Sequence, residues 1–75
     1  MGRRYKSSEC FHRGYHLVQD VIEDPENGRR IMQHLYDENG KTVWVGGGVL
    51  PLYIKKKDMP AYIDIILEFE EAKDA

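Results

Sequence analysis

The chain has 75 residues, a formal net charge of −2 and a single cysteine, and 41% of its residues are hydrophobic. This length supports one small domain and excludes a two-domain enzyme with separate cofactor and substrate domains. The lone Cys10 excludes an internal disulfide and favours a reducing compartment, so we expect a cytoplasmic protein. No apolar run approaches the roughly 20 residues of a membrane span, so no membrane partner is expected.

The N-terminal region is rich in basic residues. We predict that residues 1–13 form a basic N-terminal segment that can be flexible, and that residues 14–75 form a single domain. Cys10, His12 and His16 are possible metal ligands, but their spacing is not that of a zinc finger. We therefore expect neither a metal nor a cofactor.

Two turn sequences divide the middle of the chain. The segments 24–28 and 37–40 both end in Asn-Gly, whose residues tolerate the positive φ of a tight reversal. The segments around these turns, 15–23, 29–36 and 41–45, are predicted to be the strands of an antiparallel meander.

The first two of these strands have apolar residues at a spacing that a helix would also allow, for example Leu17, Val18, Val21 and Ile22. We favour strands because each segment adjoins an Asn-Gly turn and is too short for a stable isolated helix. As strands, both segments carry apolar side chains on two faces. One face is then expected to pack under a helix and the other to meet a partner.

The glycines at 46–48 weaken a strand and indicate a bulge, a bend or a close approach of another group to the backbone. We expect a fourth, shorter strand over 49–54, where Pro51 confines it to a sheet edge or a bulge.

The last segment predicts a helix that begins near Asp58, with Pro60 in its first turn. Its apolar stripe is wider than one small sheet has to cover. Either all of the stripe is core, or part of it forms a homodimer contact. The candidate protein-interface residues are Tyr62, Ile65, Ile66 and Phe69.

Together these elements predict an α+β fold: a small twisted antiparallel sheet of three to four strands with one C-terminal helix, in the order β-β-β-β-α. Over residues 14–70, this order of elements resembles the small single-stranded-DNA-binding domain of the transcriptional-coactivator family. The resemblance implies a dimer through the helix and DNA binding on the curved sheet. It rests on element order and transfers no individual functional residue.

Aromatic and basic residues are interleaved outside the helix. This combination suits single-stranded nucleic acid, because bases stack on aromatic rings while cations contact phosphates. We therefore expect a non-enzymatic binding module whose sheet surface binds single-stranded nucleic acid. The candidate phosphate contacts are Arg29, Arg30, Lys55, Lys56 and Lys57, and the candidate stacking residues are Tyr15, Tyr36 and Trp44.

The uneven distribution of charge supports an alternative function. Residues 1–57 carry ten basic side chains against seven acidic ones, whereas residues 58–75 carry one against six. An acidic C-terminal segment beside a wide apolar stripe suits a small protein-interaction module, such as a phage or mobile-element inhibitor or adaptor that masks a larger partner. An enzyme is not expected, because a chain of this size has little volume for a catalytic cleft.

Overall fold

The computed structural model describes residues 3–26, 28–49 and 52–74. Four strands form one antiparallel sheet in chain order, and a single helix follows. The elements are β1 (Arg3–His12), β2 (Tyr15–Asp24), β3 (Gly28–Tyr36), β4 (Thr42–Val49), a 3₁₀ turn (Lys56–Asp58) and helix α1 (Met59–Asp74). The predicted α+β fold, with an antiparallel sheet and one C-terminal helix, is confirmed.

The two predicted turns connect β2 to β3 and β3 to β4. Gly40 has a φ of 82°, and its amide donates to the carbonyl of Asp37 at 3.0 Å. The Asp37 carboxylate also accepts from the amide of Asn39 at 2.9 Å, which fixes the loop. In the other turn Gly28 has a φ of 75°, whereas Asn27 lies outside the described residues.

Strand β1 lies within residues 1–13, where no strand is predicted. Its hairpin with β2 turns at Arg13 and Gly14, which have φ values of 55° and 82°. A two-residue hairpin turn of type I′ needs positive φ at both central positions, and arginine gives no sequence signal for that conformation. Pairing with β2 extends from one end of β1 to the other, so the segment belongs to the sheet.

Strand β4 continues through the glycines and ends at Val49. The strand predicted over 49–54 does not form in the described part of that range, because residues 52–54 cross the helix-facing side of the sheet instead. The side chain of Gln19 holds this crossing segment. Its Nε2 donates to the carbonyl of Ile54 at 2.8 Å, and its Oε1 accepts from the Ile54 amide at 3.0 Å.

The core lies between helix α1 and one face of the sheet. Alternate residues of β2 and β3 supply one side of it, and one stripe of α1 supplies the other. The buried cluster consists of Leu17, Leu35, Met59, Ile63 and Ile66. Gln19 and Gln33 are buried beside it, and Gln33 donates to Gln19 at 2.8 Å while its own Oε1 accepts from the hydroxyl of Tyr62 at 3.0 Å.

Groups of this same chain occupy the space beside the glycines at 46–48. A Cβ atom on Gly46 would overlap the indole ring of Trp44, and one on Gly48 would lie 2.9 Å from Cδ1 of Leu52. Because these positions have no side chains, the Trp44 ring and the crossing segment can pack directly on the backbone of β4.

Candidate interaction face of the sheet

Alternation along the strands gives the sheet two faces, and α1 packs on only one of them. We call the other the open face, since none of the described elements covers it. The strand register places on the open face Ser7, Glu9, Phe11, His16, Val18, Asp20, Ile22, Asp24, Arg30, Met32, His34, Tyr36, Val45, Gly47 and Val49.

Aromatic rings form a row across three strands at one end of the open face. The rings of Phe11 and His16 stack with their centroids 4.0 Å apart and their planes within 7°. The ring of Tyr36 lies 6.0 Å from that of His16 and 6.1 Å from that of His34. The register is the cause, because it pairs Phe11 with His16 and His16 with Tyr36 on neighbouring strands. We call Phe11, His16 and Tyr36 the aromatic row.

The open face is also apolar away from the aromatic row. The exposed fractions are 46% for Met32, 58% for Val45 and 60% for Val49. A shallow hollow of about 190 Å³ on the same face is lined by Ile22, Asp24, Arg30 and Met32. Contiguous exposed apolar surface of this kind marks interaction sites on small soluble proteins.

The charged side chains described on the open face are mostly acidic. They comprise three carboxylates against one guanidinium, namely Glu9, Asp20 and Asp24 against Arg30. His16 lies beside one of these carboxylates: its enclosed Nε2 is 3.5 Å from the Glu9 carboxylate but makes no hydrogen bond within the described chain. This balance of charge favours a partner with basic groups over a polyanion.

Of the predicted stacking residues, only Tyr36 lies on the open face. Tyr15 lies on the helix-facing side and packs against the core. Trp44 packs there too, with its ring edge-on to that of Tyr62 at 5.9 Å and 82°. Tyr36 and these two residues therefore lie on opposite sides of the sheet and do not form one stacking surface.

The predicted phosphate contacts are also dispersed. Arg30 is exposed on the open face, about 20 Å along β3 from Tyr36. Arg29 lies at the β2–β3 turn, where its Nε is 3.4 Å from the Glu23 carboxylate. The lysines at 55–57 are exposed just before α1, in the layer on the other side of the sheet.

The predicted protein-interface residues divide between the core and the surface. Ile66 is buried, and Tyr62 is half-buried, which raises the pKa of its hydroxyl. Ile65 and Phe69 are 61% and 58% exposed and lie one helical turn apart. Nζ of Lys73 lies 5.0 Å from the centre of the Phe69 ring. The helix therefore presents two of its four candidate residues to solvent.

The side chains considered as metal ligands do not converge. Cys10 and His12 lie on the helix-facing side and His16 on the open face, because the hairpin turn pairs His12 with Tyr15. His12 instead contacts Asp64 at 3.0 Å, and Arg13 donates to the same carboxylate oxygen at 3.1 Å. The described residues contain no group of three or more His, Cys, Asp or Glu able to hold a metal ion.

Sequence reasoning misses most of the open face, including Phe11, His16, Met32 and Val45. One signal is available, since β2 and β3 are predicted to carry apolar side chains on both faces. Assigning residues to a shared face also requires strand β1 and its register. Both depend on the Arg13–Gly14 turn, which sequence patterns do not indicate.

Comparison of the chain with protein-family models, curated proteins and solved structures finds no significant match in any of the three. Across residues 3–26, 28–49 and 52–74, no helix combines the length and the apolar character that a membrane crossing requires.

Proposed function

We propose that this chain is a small non-enzymatic protein-interaction module. Its open face docks a protein partner that presents an apolar surface bordered by Lys or Arg side chains. The observation that carries the proposal is the composition of the open face: an exposed apolar and aromatic sheet surface whose described charges are mainly acidic.

The layer architecture supports this assignment. Sheets normally bury at least one face, and a sheet whose second face is also apolar gains stability when another layer covers it. Aromatic anchors surrounded by apolar side chains are also the usual centre of binding energy in protein interfaces. The aromatic row, with Phe11 71% exposed, supplies such anchors on a rigid backbone.

Charge supports the choice of partner. Glu9, Asp20 and Asp24 lie on β1 and β2, to one side of the exposed apolar side chains of β3 and β4, so a partner with cations beside an apolar patch would approach faster and in one orientation. A partner with acidic groups there would be repelled. This proposal agrees with the alternative drawn from the sequence, a small acidic module that masks a larger protein, but it places the interface on the sheet.

Photo-crosslinking from matched positions tests the proposal. A benzophenone amino acid replaces Phe11 on the open face or, as the control, Phe69 on the exposed side of α1. Both phenylalanines are largely exposed, so the two probes have similar access to solvent. After irradiation of the cells that encode the chain, mass spectrometry identifies the protein attached and the peptide within it.

We expect one defined protein to be attached from position 11 and not from position 69. Its attached peptide should lie on a surface that combines apolar side chains with Lys or Arg. Attachment from position 69 alone, attachment to an acidic surface, or no adduct from position 11 would contradict the proposal.

The aromatic row favours a second candidate function, the binding of single-stranded nucleic acid. Stacked rings accept bases without sequence preference. This candidate predicts salt-dependent binding of a labelled oligonucleotide that weakens in Phe11→Ala and Tyr36→Ala but not in Phe69→Ala. No binding at micromolar protein would remove this candidate and leave the protein-docking proposal intact.

A further inference from the structure

The two edges of the sheet differ in how they are protected. Strand β1 carries charged residues such as Lys6 and Glu9, and its pairing is irregular between Arg4 and Lys6. Strand β4, Thr42–Val49, contains no charged residue and no proline. Within the described residues, no strand pairs with the far side of β4.

An unprotected edge of this kind is unusual for a monomer. Edge strands expose backbone N–H and C=O groups, and proteins normally guard them with charges, proline or bulges. The irregularity in β4 lies near its start, next to Trp44, and leaves 45–49 in regular register with β3.

We propose that β4 pairs antiparallel with β4 of a second copy of this chain, through residues 45–49 centred on Gly47. Residues opposite each other in an antiparallel pair share a face of the sheet. Centring on Gly47 sets Val45 opposite Val49 of the second copy, and both lie on the open face. The register thus preserves both faces across the junction.

A second copy is the occupant that the chemistry of this edge favours. Two identical uncharged strands meet without like-charge repulsion, and a two-fold axis lets each copy satisfy the exposed edge of the other. The pairing would also join the two open faces into one surface, with Val45 and Val49 at its centre. This self-association is independent of the proposed protein partner, because it is measured with the purified chain alone.

Sedimentation equilibrium of the full chain over a wide concentration range tests the proposal. The wild-type mass should rise from that of one chain to that of two. Val45→Lys with Val49→Lys places like charges opposite each other and should weaken dimerisation about tenfold or more. Met32→Lys, on the same face but on the inner strand β3, and Ile65→Lys, on α1, are the controls and should leave dimerisation unchanged.

A measurement on the wild-type chain avoids any dependence on how the variants fold. Amide hydrogen exchange at 45–49 should slow as the protein concentration rises, whereas exchange in β1, the opposite edge, should not change. A monomer at every concentration, or a dimer that Ile65→Lys or Met32→Lys disrupts while the β4 variant does not, would overturn the proposal. A monomer at every concentration would mean that no second copy pairs with β4. A dimer that the β4 variant leaves intact would have its contact on α1 or between stacked open faces.

Discussion

Replacing Gln19 by leucine should destabilise the fold strongly, although glutamine is not a typical core residue. Its side-chain amide makes three hydrogen bonds: to the carbonyl and the amide of Ile54, and from Gln33. Leucine has a similar size but makes none of them. At about 1 kcal/mol net for each bond, the loss in the free energy of unfolding is about 3 kcal/mol. For a domain of this size, that corresponds to a fall in Tm of roughly 12 to 24 °C.

Urea unfolding followed by circular dichroism measures this change. Val18→Leu is the matched control, since it places leucine at the adjacent position of β2 but on the open face, and it should stay within about 0.5 kcal/mol of wild type. Gln19→Leu with Gln33→Leu should cost less than the sum of the single variants, because neither amide is then left without its partner. A Gln19→Leu variant within about 0.5 kcal/mol of wild type would refute this account of how the crossing segment is held.

Three further predictions concern the turn, the helix contact and the glycines. The hydrogen bond from Arg13 is the main cause that holds the pKa of the Asp64 carboxyl below its usual 3.8. The ionised Asp64 carboxylate therefore stabilises the fold at pH values above 3.8, and this stabilisation is lost as the pH falls through the lower pKa of the folded state. Asp64→Asn should therefore lower Tm at neutral pH, with a difference from wild type that shrinks in acid; an equal difference at both pH values would contradict this. Gly14→Ala should cost about 1 kcal/mol in urea unfolding through its φ of 82° alone, because the nearest atom to the new Cβ would be 3.8 Å away. Gly46→Ala should lower the free energy of unfolding by about 2 kcal/mol and shift the fluorescence of Trp44, because the Trp44 ring occupies the position of the new methyl group. Unchanged fluorescence would count against that packing.

The parts of the fold that sequence patterns predict are those with specific local signals. Asn-Gly sequences locate two turns, and Gly28 and Gly40 indeed take positive φ there. The helix beginning near Asp58 follows from its start signals and apolar stripe, and α1 begins at Met59. These features depend on residues close together in the chain, where propensities act directly.

The parts that sequence patterns miss depend on contacts between distant residues. Strand β1 is polar over much of its length, so no alternation marks it, and it is held by pairing with β2. Strand β4 passes through its glycines because Trp44 and Leu52 cover them. Neither contact could be inferred before the register was known.

The candidate site was partly within reach of the sequence. An apolar second face of the sheet, available to a partner, is predicted from β2 and β3. The assignment of Trp44 and Tyr36 to one stacking surface fails a geometric test, since they lie on opposite faces once the bulge and register are included. Which face each aromatic side chain takes depends on one residue of register.

The affinity of the partner, once identified and purified, for two lysine variants tests the central claim most directly. Met32 lies on the open face at 46% exposure and Ile65 on α1 at 61%, so each lysine is introduced at an exposed apolar site. If the open face is the docking surface, Met32→Lys raises Kd about tenfold or more, while Ile65→Lys leaves Kd within about twofold of wild type. An unchanged Kd for Met32→Lys together with weaker binding of Ile65→Lys would contradict the claim and place the interface on the helix.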